Sequence, residues 1–129
     1  LIGENVYRYS NDLNEASLKF RIEELKKELS RIKIYPNRGT AYGMSRSVEL
    51  TSEINESRQC ISLLSERISL LSELVLAYGS STTGHDAKKV AESSREIARS
   101  TTYIRLLNQK IGLLCEISVL YLTPVRPIS

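Results

Sequence analysis

The sequence has no tryptophan, one phenylalanine, one methionine and one histidine. Any core must therefore be aliphatic, with some of the seven tyrosines at its edges. Only three prolines and six glycines occur, and they sit mostly between periodic segments, which favours long helices. Two cysteines, Cys60 and Cys115, with one histidine fall short of the usual four-ligand zinc site within one chain. No close Cys or His spacing supports a site shared across a dimer, so neither metal nor cofactor is expected. The cysteines read as small buried hydrophobes.

No apolar run reaches the ~20 residues that span a bilayer. The longest candidate, residues 111–122, is interrupted by Glu116 and Ser118 and reads as a buried helix. No membrane association is expected, and an intracellular or virion setting fits better than a membrane. The chain starts with Leu1, as a processed product or a fragment does.

At 129 residues with 41% hydrophobic and 26% charged content, one folded domain is expected. The net charge of +3 is too small to demand a nucleic-acid partner. Its distribution is uneven: residues 19–46 hold eight Lys/Arg against three Glu, and residues 47–78 hold two Arg against five Glu. Residues 79–129 hold seven Lys/Arg against four acids. Basic helices packing along an acidic central one would produce this pattern.

What is present is a heptad tandem. Residues 61–67 read Ile-Ser-Leu-Leu-Ser-Glu-Arg and residues 68–74 read Ile-Ser-Leu-Leu-Ser-Glu-Leu. With Ile61 and Ile68 at position a, Leu64 and Leu71 fall at d, Leu63 and Leu70 at c, and Leu74 at g. The apolar arc spans roughly 160°, wider than the ~100° stripe of a surface helix. This helix must therefore touch more than one neighbour. Arg67, at g, is the one charge inside the arc.

The rest of the chain falls into order around that helix. Residues 1–11 lack a period and read as an arm. A first helix is expected over 12–34, capped by Asn11 or Asp12, with Leu18, Ile22, Leu25, Leu29 and Ile32 as a coiled-coil seam. Pro36 disfavours helix at Tyr35 and ends it. Residues 35–46 read as a loop whose Tyr35, Arg38, Tyr42 and Arg46 would suit stacking and phosphate contact, or would simply connect two helices. The second helix is expected over 45–78 and the third over 86–122, with 123–129 a tail closed off by Pro124 and Pro127. Between them, Gly79 to Asp86 nearly spells a phosphate loop, but His85 and Asp86 stand where Lys and Ser/Thr belong. A helix stop, turn and start accounts for every residue there, with Gly79 at the C-cap and Thr83 or Asp86 at the next N-cap.

Short connections imply antiparallel neighbours. Folding the second helix on the third about Thr82 places Ile54 against Lys110/Ile111 and Arg67 against Glu96/Ile97. It also separates Cys60 from Cys115 by ~16 Å along the axis, too far for a disulfide. The first helix, folded back about Gly39, covers the surplus apolar surface around residues 106–120. Nothing covers Leu63, Leu70 and Leu74.

The expected fold is thus all-α, an antiparallel three-helix bundle built on a long helical hairpin with an N-terminal arm. The expected function is non-enzymatic: a structural or assembly protein that self-associates or binds a protein partner through Leu63, Leu70, Leu74 and Arg67. The alternative is a coat or filament subunit of a helical virion that wraps nucleic acid, with Arg38, Arg46, Tyr35 and Tyr42 as polyanion contacts. A small helical enzyme would aim several basic residues inward. Here Lys88, Lys89, Arg95, Arg99, Arg105 and Lys110 map outward, with no acid, base or nucleophile cluster, so no small-molecule substrate is expected.

Overall fold

A computed structural model describes residues 13–34, 40–80 and 83–123. The arm (1–11), Tyr35, Arg38 and the tail after Thr123 lie outside the described residues. Three helices follow in order: α1, Glu15–Ile34; α2, Ala41–Tyr78; α3, Gly84–Leu122. No strand occurs among the described residues. The chain is an all-α three-helix bundle.

Each helix begins on a side chain that accepts a hydrogen bond from an otherwise orphaned backbone N–H. Asn14 Oδ1 accepts from Ser17 N at 2.9 Å, so α1 starts later than 12 and its cap is neither Asn11 nor Asp12. Thr40 Oγ1 accepts from Gly43 N at 3.1 Å. That cap starts α2 at Ala41 rather than 45 and takes Tyr42 and Arg46 out of the expected loop into the helix. Thr83 Oγ1 accepts from Asp86 N at 3.3 Å, and the acid in that first turn suits the positive end of the α3 dipole. Gly79 is the α2 C-cap as expected, though in right-handed geometry. A Cβ there would lie 2.8 Å from the Val75 carbonyl oxygen, so the position favours glycine by space rather than by φ.

The hairpin register agrees closely with the expected one. Ser47 meets Ser118, Glu53 meets Lys110 and Arg67 meets Glu96. The seam mixes leucines with small residues: Gly43, Ser47 and Ser57 on α2, and Ser93, Ser100 and Ser118 on α3, are all buried. Small side chains let the two backbones approach. The Ser47 and Ser118 hydroxyls lie 2.7 Å apart in the interior, each satisfying the other. Ser57 Oγ is buried with no hydrogen-bond partner among the described residues.

α1 seats its backbone against α3 and reaches α2 through side chains. Its N-terminal end packs Leu18 and Ile22 with Cys60, Leu64, Leu106 and Leu107. Its C-terminal end packs Leu25 and Ile32 with Leu50, Ile54, Leu114, Ile117 and Tyr121. α1 therefore runs antiparallel to α2 and parallel to α3, and covers the surplus on α3 as its sequence implies. Leu25, Leu50, Leu107, Leu114 and Ile117 are the largest fully buried side chains, each contributing about 1.5–3 kcal/mol by transfer from water. Both cysteines are free; Cys60 is buried and Cys115 half-buried.

α1 has 20 residues and α2 has 38, about 30 Å against 57 Å. The third helix therefore covers only the base of the hairpin. Beyond Leu64 and Tyr103 the described residues of the tip form a pair of helices.

Candidate functional site

The α2 residues that meet α1 recur every seven positions: Arg46, Glu53 and Cys60. The next two in that series are Arg67 and Leu74. Leu63 and Leu70 lie on the adjoining row of the same helix face. The residues singled out in the sequence therefore share one surface, in line with α1 and past its N-terminal end. Leu70 is 62% exposed, while Leu63 and Leu74 are half-buried. Helix α3 offers charge beside them. Arg67 pairs with Glu96 at 3.2 Å, their side chains 30% and 40% exposed. Such an exposed pair contributes about 0–1 kcal/mol. A cleft of about 100 Å³ lies against Arg67, Glu96, Leu64, Tyr103 and Leu13, where α1 stops. Leu76, on a different α2 row, is 80% exposed.

A second cluster lies at the base, where the sequence suggested polyanion contacts. Arg46 donates from Nε and Nη2 to the two Glu28 carboxylate oxygens at 2.9 and 2.7 Å, and from Nη1 to Glu49 at 2.8 Å. The Tyr121 hydroxyl donates to Glu28 at 2.9 Å. Tyr42 stands edge-on to Tyr121, with ring centroids 6.1 Å apart. Helices α1, α2 and α3 thus meet on one buried carboxylate. The Arg46 fork holds the Glu28 carboxyl below its ordinary range despite its burial, and the Tyr121 hydroxyl adds to this. Burial, then the bond to Glu28, pushes the Tyr121 phenol up. A cleft of about 540 Å³ opens over this cluster, lined also by Arg31 and Ile32. Arg46 and Tyr42 stand together here, with Arg46 committed to two carboxylates.

A second fork ties α1 to α2 one turn-pair further along. Arg21 donates to Glu53 at 2.9 and 2.7 Å, and Lys110 approaches the same carboxylate at 3.6 Å. Burial acts to raise the Glu53 carboxyl, but Arg21 and Lys110 more than offset it and hold it low. Lys110, expected to point outward, has a side chain only 13% exposed. It occupies the α3 row that faces α1, and Glu53 supplies the charge its burial needs.

Sequence reasoning also missed Glu28. Its seven-residue step from Arg21 placed it on the α1 edge beside the seam, but nothing local marked Arg46, eighteen positions away, as its partner. Outward apolar side chains were missed as well: Phe20 and Ile34 on α1, each 67% exposed, and Met44, Val48, Val119 and Leu122 on the far side of the hairpin base. No group of three or more potential metal ligands occurs among the described residues. No described helix is long and apolar enough to cross a membrane.

The fold and these surfaces define a helical bundle whose hairpin tip extends past α1, with no third helix over it among the described residues. Compared with protein-family models, curated proteins and solved structures, the chain matches none.

Proposed function

We propose that this is a non-enzymatic assembly protein whose bundle self-associates through the part of α2 that α1 leaves uncovered among the described residues. The observation that carries the reading is the run of Leu63, Leu70 and Leu74 on the α1-facing side of α2, past the end of α1, with Leu70 62% exposed. Fully burying an exposed leucine contributes about 1.5–3 kcal/mol, and the half-buried Leu63 and Leu74 would add less than that each. A contiguous apolar row rimmed by charge is the usual mark of a protein–protein surface.

Light scattering after size exclusion tests this. The expected result is a species heavier than the 14.6 kDa chain that survives high salt and carries no nucleic acid by ultraviolet absorbance ratio. Leu70→Glu with Leu74→Glu should return it to monomer with unchanged helical circular dichroism. A wild-type chain that stays monomeric at high concentration overturns the reading.

A second reading, a nucleic-acid-wrapping coat or filament subunit, draws on the exposed Lys26, Lys27, Arg31 and Lys33 of α1. Particles that contain nucleic acid and dissociate steeply with salt would favour it over the first.

A further inference from the structure

The tip of α2 and the outer face of α1 share a seven-residue spacing of outward side chains and carry opposite charge beside it. On α1, Phe20 and Ile34 project outward, each 67% exposed. They lie fourteen residues apart with the exposed Lys27 midway, about 21 Å along the axis. On α2, Leu63, Leu70 and Ala77 repeat the same spacing over the same length.

Beside these two rows the charges left over are opposite. Every glutamate of α1 is already engaged: Glu15 with Lys19, Glu23 with Lys26, Glu24 with Arg21 and Glu28 with Arg46. Lys27, Arg31 and Lys33 remain without an ion-pair partner among the described residues. On α2, Glu49 and Glu53 are engaged by Arg46 and Arg21, while Glu66 and Glu73 remain exposed beside Leu70.

We infer that the surface covering the α2 tip of one copy is the outer face of α1 of the next. This deepens the self-association reading and rests on it. The alternative, α2 against α2 across a two-fold axis, sets Glu66 and Glu73 of both copies along one seam, where like charges repel. The α1-on-α2 contact sets them against Lys27 and Arg31. Because the two patches differ, the contact is heterologous. A joined pair keeps one unfilled patch of each kind, and assembly is open-ended unless the rotation closes a ring.

Two variants of the full chain, each altered only at exposed positions, test this by light scattering. One carries Phe20→Glu with Lys27→Glu; the other carries Leu70→Glu. Wild type is expected to gain mass with concentration beyond a dimer. Each variant alone should stay at 14.6 kDa. An equimolar mixture should give a dimer and nothing larger, since one good α1 face then meets one good α2 tip. If Phe20→Glu/Lys27→Glu associates like wild type while Leu70→Glu does not, the heterologous contact is wrong and the α2 surface stands. If wild type stops at a dimer whatever the concentration, the inference also falls. A wild-type monomer removes both readings, and assembly that requires added nucleic acid overturns the protein–protein contact.

Discussion

The base of the hairpin and its tip share one heptad register but not the same company. At the base, the α1-facing row of α2 carries Arg46, Glu53 and Cys60, and each is answered from across the groove: Arg46 by Glu28, Glu53 by Arg21, Cys60 by Leu18 and Ile22. At the tip, the same row carries Arg67, which pairs with Glu96 of α3, and Leu74, which lies past the end of α1. Polar groups at the base sit where a third helix can satisfy them. Leucines at the tip sit past the end of α1, where Leu70 is left 62% exposed. A surface helix needs only about a 100° apolar stripe, and the surplus on α2 falls past the end of α1, where the proposed contact lies.

The largest expected break in this contrast is at the base. Leu114 is fully buried among all three helices. Leu114→Ala should destabilise the monomer by about 2–5 kcal/mol in denaturant unfolding. A loss under 1 kcal/mol would mean that the three helices do not share one core. Next comes Glu28→Ala, which leaves Arg46 with Glu49 alone and Tyr121 without its acceptor. A fully buried pair would cost about 3–5 kcal/mol to break. Because the Arg46 side chain keeps 21% exposure, about 2 kcal/mol is expected.

Acid should act on the same half. The Glu28 and Glu53 carboxyls are both held below their ordinary range in the fold, so the unfolded chain takes up protons first as pH falls. The stability they contribute is complete above about pH 5 and is lost as pH drops through their folded values. Hydrogen exchange on acidification should therefore show α1 amides losing protection before the α2–α3 seam near Arg67. Simultaneous loss throughout would refute the assignment of these forks to α1 docking.

Ser57→Ala sharpens the comparison from the other direction. Removing a buried hydroxyl with no partner should stabilise by about 0.5–1 kcal/mol, and a destabilised variant would show that the hydroxyl is satisfied. The smallest effect belongs to the tip. Leu70→Ala should change monomer stability by no more than about 0.5 kcal/mol while weakening association, a split between unfolding and light scattering that Leu114→Ala cannot produce.

The fold was legible because periodicity and punctuation are local. The heptad around Ile61 and Ile68, Pro36, Gly79 and the Thr83 cap placed three helices and the hairpin register. The start of α2 was misplaced because Gly43 reads as a loop signal when Thr40 is not considered as a cap. Glu28 and Lys110 escaped notice because a charged side chain on a helix edge is ordinarily solvated. Its burial depends on a partner from another helix, and no local spacing reveals that partner. The exposed Phe20 and Ile34 were passed over for a related reason: isolated outward hydrophobes are common, and they gain meaning only beside the pattern on α2.

The paired hydroxyls of Ser47 and Ser118 have a mechanical consequence. They mark the point near the base where α2 and α3 come together over small side chains, and Tyr78 lies about 47 Å further along α2. Among the described residues no third helix braces the tip, so a change in the α2–α3 crossing angle at this point is carried along the pair. Each degree of change in the crossing angle moves the tip by roughly 0.8 Å over that length. A single methyl group added at Ser118 would thus be felt most strongly not where it is inserted but in the aim of Leu70 and Leu74. In the proposed assembly, the aim of the tip therefore responds to packing at the opposite end of the molecule.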